Sequence, residues 1–99
     1  MENLFTIICE FRGGTYTKQL RADSPQKVFR LWAKAFQEEG SLAQKDLKDF
    51  EEEVQNSLRE KNIVSLESLQ NVWYEAFSIG DDLLEVLIIN TNEAEILAS

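Results

Sequence analysis

Two runs that alternate apolar and polar residues, 3–11 (NLFTIICEF) and 15–22 (TYTKQLRA), flank Gly13-Gly14, the only adjacent glycines in the chain. A period of two is the mark of a strand with one face buried. A two-residue glycine loop supplies the positive φ angles that tight hairpin turns require. With Gly13 and Gly14 as the central pair, Phe11 faces Tyr16, Cys9 faces Lys18, Ile7 faces Leu20 and Phe5 faces Ala22. That face is apolar except for Lys18. The other face sets Arg12 against Thr15, Glu10 against Thr17, Ile8 against Gln19 and Thr6 against Arg21, leaving Ile8 as the main apolar exception. A phosphate-binding loop needs a longer glycine stretch followed by Lys and Ser/Thr at a helix start. Here the following Thr15-Tyr16-Thr17 are strand formers, so the motif reads as a hairpin turn.

Asp23-Ser24-Pro25 predicts a helix start, because a short polar cap and a proline at the first helical position suit backbone N–H groups that lack helical partners. Val28, Leu31, Trp32, Ala35 and Phe36 recur at helical spacing as the inward stripe, with Lys27, Arg30, Lys34 and Gln37 on the other side. Gly40 is expected to end the helix in the left-handed conformation. Ser41 followed by Gln44 has the spacing of a capping box and predicts a second helix. Its inward stripe is Leu47, Phe50, Val54 and Leu58, while Asp46, Asp49, Glu51, Glu52, Glu53 and Gln55 are expected to lie mostly outside it. Residues 60–69 are read as a connection.

Residues 71–79 and 83–91 form a second strand pair, with either Gly80-Asp81 or Asp81-Asp82 at the centre of its turn. Both registers sort the side chains alike. One face carries Trp73, Phe77, Ile79, Leu84, Val86 and Ile88; the other carries Val72, Tyr74, Ala76, Leu83, Leu87 and Ile89, interrupted by Ser78 and Glu85. The element order is β-β-α-α-β-β. It predicts an α+β fold of two layers, a four-stranded, mainly antiparallel sheet with both helices on one face. The whole chain, 1–99, reads as one domain, with 92–99 as a frayed tail or a short turn. The two hairpins are expected to join through residues 4–11 or through 15–22.

The chemistry open to the chain is narrow. It contains no histidine, which removes the commonest general base and metal ligand, and one cysteine, too few for a disulfide or a structural zinc site. Cys9 lies in an apolar run and reads as a buried hydrophobe of a reducing, cytoplasmic setting. The stretch MENLFTIICEF is expected to serve as a strand rather than a signal peptide, since it shows neither a basic leader nor a small-residue cleavage site, and no apolar run approaches the ~20 residues of a membrane helix. The net charge is −8; residues 1–40 hold six basic and five acidic residues, and residues 41–99 hold four and thirteen. An acidic chain is a poor match for a phosphate backbone. The alternative of weak nucleic-acid or phosphate binding rests on Arg21, Lys27, Arg30 and Lys34, with Lys18 nearby. The carboxylates of residues 46–53 lack the glycine-containing loop of calcium sites and read as a solvated helix face. Trp32 and Trp73 read as core residues rather than stacking platforms. No cofactor or metal is expected. A small enzyme using carboxylates or Tyr16 and Tyr74 is the third function class.

The segments FRGGTYTKQLRADSP and NVWYEAF, with their spacing, resemble those of small uncharacterised bacterial proteins built from a hairpin, a helical middle and a second hairpin. The resemblance implies that fold and carries over no catalytic residue and no activity. The feature that bears on function is the second hairpin, apolar on both faces where two helices can cover only one. Either residues 60–69 or the tail fold over the second face, or that face belongs to central strands and is simply less solvated, or Val72, Tyr74, Leu87 and Ile89, joined by Ile8, form a contact surface for a protein partner or a second copy of the chain. The last is the functional reading. The helix-two carboxylates Asp49, Glu52 and Glu53 are expected to steer a basic partner. The function read from sequence is that of a small acidic, non-enzymatic interaction or regulatory protein.

Overall fold

A computed structural model describes residues 2–40, 42–60, 64–65 and 71–91. The elements are β1 (Asn3–Phe11), β2 (Gly14–Ala22), α1 (Pro25–Glu38), α2 (Gln44–Glu60), β3 (Val64–Ser65), β4 (Val72–Ile79) and β5 (Asp82–Asn90). The four long strands form one open antiparallel sheet, and the order of long elements is β-β-α-α-β-β, an α+β fold. The stretch expected as a plain connection adds the two-residue β3 at one edge, so the spatial order is β2-β1-β5-β4-β3. The hairpins join through β1 and β5, from Phe5↔Asn90 to Phe11↔Leu84. Residues 92–99 and Ser41, with its capping box, lie outside the described residues.

The first turn is centred one residue earlier than its glycines suggest. Phe11 pairs with Gly14, so Arg12 and Gly13 are the central pair, with φ of 50° and 79°. Two positive φ values are what a type I′ hairpin requires. The register therefore becomes Cys9↔Tyr16, Ile7↔Lys18 and Phe5↔Leu20. Each partner moves by two residues, which preserves every side chain's face. Gly14 is needed in the strand for a different reason: a Cβ there would lie 2.8 Å from Tyr16 Oη, and the Tyr16 ring is held edge-on against Phe36 with centroids 5.4 Å apart. Gly80-Asp81 closes the second turn, with Ile79 paired to Asp82.

On the inner face, Phe5, Ile7, Cys9 and Phe11 of β1 and Leu84, Val86 and Ile88 of β5 are buried beneath the helices. Ser24 caps α1, its Oγ accepting from the Lys27 N–H at 3.2 Å, and Pro25 occupies the first turn. Gly40, with φ 77°, follows its last residues. The buried stripe of α1 is Val28, Phe29, Trp32, Ala33 and Phe36, whereas Leu31 is 47% exposed. This corrects the expected stripe: the spine Val28-Trp32-Phe36 is common to both, but the flank that faces inward is 29/33 rather than 31/35. The decision belongs to α2, because Ala33 and Val54 share the seam between the helices. Trp32 lies among Phe29, Phe36 and Phe50, with centroids 5.1–5.9 Å away. Trp73 packs on the same core against Phe5 at 6.1 Å.

Two buried carboxylates depart from the expected pattern. Asp46 is buried rather than solvated, because its Oδ2 accepts from Arg12 Nη1 at 2.8 Å while Arg12 Nε donates to Asp82 Oδ2 at 2.7 Å. One guanidinium thus ties both hairpin turns to the start of α2, a use that suits its fixed fork of donors. Glu75 is also buried; Ser57 Oγ donates to its Oε2 at 2.6 Å and the Ala76 N–H donates to its Oε1 at 2.7 Å. Lys18, the cation on the apolar face, pairs with Glu39 beyond the end of α1.

Two predictions follow from this packing. Phe29→Ala should lower the unfolding free energy by about 3–5 kcal/mol, while Leu31→Ala should change it by less than about 0.5 kcal/mol; denaturant melts giving equal losses would contradict the orientation of α1. The second concerns acid. The Arg12 hydrogen bond holds the Asp46 carboxyl below its ordinary pKa, so the unfolded chain takes up this proton first. The contribution is complete above about pH 5 and is lost as pH falls through about 4 and then through the depressed native value. The melting temperatures of wild type and Asp46→Asn should therefore differ at neutral pH and converge in acid.

Candidate functional site: the outer face of the sheet

Both helices pack on the inner face, and the alternation of the strands sends a second set of side chains the other way. The registers arrange these in rows across the sheet. One row runs Thr17, Ile8, Leu87, Tyr74; the next runs Gln19, Thr6, Ile89, Val72; a third runs Thr15, Glu10, Glu85, Ala76. The five residues expected to act together, Ile8, Val72, Tyr74, Leu87 and Ile89, thus occupy neighbouring places on three adjacent strands. All five are half-buried. Their closeness follows from the β1–β5 pairing, which puts Ile8 directly opposite Leu87.

The border of this apolar group is polar and partly ordered. Gln19 Nε2 donates to Thr6 Oγ1 at 3.0 Å, and Thr6 Oγ1 hydrogen-bonds Thr91 Oγ1 at 2.9 Å. On the other border, Glu10 and Glu85 stand directly opposite each other. Tyr74 Oη donates to Glu85 Oε2 at 2.9 Å, and this bond, with partial desolvation, raises the tyrosine pKa above its ordinary value. Beyond the acidic row, Leu83 is 54% exposed. It was legible as a member of this face but not as its most exposed apolar residue. A shallow cleft of about 120 Å³ lies between Ile8, Glu10, Tyr74, Glu85 and Leu87. Small-molecule sites usually enclose roughly 300–1,000 Å³; this one matches a single side chain.

The other candidate groups are dispersed. Arg21 projects from the outer face of β2, whereas Lys27, Arg30 and Lys34 stand on α1, on the opposite side of the sheet. Lys27 is engaged with Asp23 at 3.2 Å, and Arg30 and Lys34 border a cleft that includes Glu51. Tyr16 and Tyr74 lie on opposite faces. Burial pushes the Cys9 thiol up to about 12, which keeps it protonated at neutral pH. A depression of about 540 Å³ is bordered by Lys48, Glu51, Glu52, Gln55, Asn56 and Arg59, all from the exposed side of α2. Among the described residues, no group of three or more Cys, Asp or Glu side chains is placed to hold a metal ion, and no helix is long and apolar enough to cross a membrane.

In a Tyr16→Phe background, absorbance titration should show the Tyr74 phenolate forming above the ordinary tyrosine value of about 10, and Glu85→Gln should move that transition down. An unchanged transition would remove the contact from the outer face. Searches for similar proteins, against family models, curated proteins and solved structures, returned no match to this sequence or fold.

Proposed function

We propose that this is a small acidic interaction or regulatory protein of the cytoplasm that works by presenting the outer face of its sheet to a protein partner or to a second copy of itself, without chemistry of its own. The observation that supports this reading is the gathering of Ile8, Val72, Tyr74, Leu87 and Ile89 into two adjoining rows, opposite the face that the helices cover. A two-layer domain must leave one sheet face without helices, and that face is ordinarily polar. Here its centre is apolar, and contiguous apolar area on a small domain commonly marks a contact surface. The polar border of Gln19, Thr6 and Glu10 gives the arrangement of interfaces, an apolar middle within a wet rim.

The carboxylates expected to steer a basic partner, Asp49, Glu52 and Glu53, stand on α2, in the layer on the other side of the sheet from this face, and the reach of exposed charges is screened over about 8 Å at physiological salt.

The test is solution mass across concentration, with binding of a hydrophobic dye, for wild type and Tyr74→Glu. The reading expects either a concentration-dependent dimer that Tyr74→Glu returns to monomer, or a monomer whose dye binding Tyr74→Glu reduces. A monomeric wild type that binds no dye would count against it.

A further inference from the structure

The outer face carries a like-charge pair in an unusual place. Glu10 and Glu85 are direct cross-strand neighbours, and their row reads Thr15, Glu10, Glu85, Ala76, without a cation. Like charges placed directly opposite in a sheet are destabilising. Apolar residues stand on either side of the pair, Leu87 and Ile8 in the row on one side and Leu83 beyond it on the other, while Glu10 is itself exposed and Glu85 half-buried. The cation that shares this surface, Arg12, already spends Nε on Asp82 and Nη1 on Asp46. Glu85 accepts a neutral hydrogen bond from Tyr74, and among the described residues no side chain donates to Glu10. The free protein thus sets two facing carboxylates in the lining of a cleft sized for one side chain.

We infer that the outer face binds a protein segment carrying an arginine or lysine between apolar side chains, with the cation seated over Glu10 and Glu85 and the apolar residues against Ile8, Tyr74 and Leu87. This rests on the docking-face reading and narrows it to a basic partner. Charge complementarity carries the choice. A cation over the pair relieves a repulsion present in the free protein, and its aliphatic stem covers the neighbouring apolar surface. A second copy is a poorer match: face-to-face pairing brings two acidic rows onto one interface in a chain of net charge −8, and Arg21, the cation at the edge of this face, stands three rows from Glu10.

The test uses a random dodecapeptide display library selected on the full chain, followed by affinity measurement against wild type, the double variant Glu10→Gln/Glu85→Gln, and Leu87→Asp. Glutamine keeps an acceptor for Tyr74 Oη and removes the repulsion, so the double variant should melt no lower than wild type. The inference expects selected peptides to share an arginine or lysine flanked by apolar residues, to bind about tenfold or more weakly to the double variant, and to lose binding to Leu87→Asp. Peptides that depend on Leu87 but lack a cation, or that ignore the double substitution, would overturn the basic partner and leave the docking face standing. Selected peptides indifferent to Leu87 would remove both. A wild-type dimer broken by Leu87→Asp would assign the face to a second copy and overturn the inference.

Discussion

The antiparallel ladder between β1 and β5 is the contact on which the remaining architecture depends. Each hairpin is a local structure, closed by its own turn, but a two-stranded hairpin is marginal in water. Joining them places β1 and β5 at the centre and makes a sheet broad enough for two helices. It also explains why the central strands hold so many fully buried side chains, among them Ile7, Cys9, Leu84, Val86 and Ile88. The pairing links residues 73–85 positions apart, so its loop-closure entropy must be met by the aromatic core around Trp32 and Phe50.

The same ladder gives the sheet two unlike sides. Inside, the polar groups that the helices bury are each matched by a partner: Asp46 by Arg12, and Glu75 by Ser57 and the Ala76 N–H. Glu75 also occupies a backbone donor of β4 beyond the short stretch that β3 pairs, where an unpaired strand edge is a hazard for aggregation. Outside, Ile8 sits among Thr6, Glu10, Thr17 and Gln19 on a mostly polar face of its own hairpin, with Leu4 near the end of that face, and acquires an adjacent apolar neighbour when Leu87 is laid beside it. The apolar centre of the outer face is a product of assembly between hairpins rather than a property of either one.

Much of the candidate site was legible because strand alternation assigns faces without any knowledge of strand order. The first turn illustrates this well. Its centre is Arg12-Gly13 rather than Gly13-Gly14, yet a two-residue shift leaves Ile8 outward and Cys9 inward. Helix faces are less forgiving. Residues 28, 32 and 36 define a line, but either flank of it satisfies the periodicity, and only the position of α2 selects Phe29 and Ala33 over Leu31 and Ala35. Asp46 was misread for the same reason: its burial depends on Arg12, 34 residues earlier, which reaches it from a hairpin turn.

The sequence by itself determined what neighbouring residues settle among themselves: the alternating strands, the glycine-bearing turns, the cap at Ser24, and the two apolar sides of the second hairpin. Tertiary structure alone decided that β1 rather than β2 meets β5, that Glu10 stands opposite Glu85, and which flank of α1 is buried. Periodicity and turn chemistry act over a few residues and leave their mark in the local order of side chains. Strand partnership is a competition among long-range packings of similar local quality, and its outcome is registered only where the layers meet.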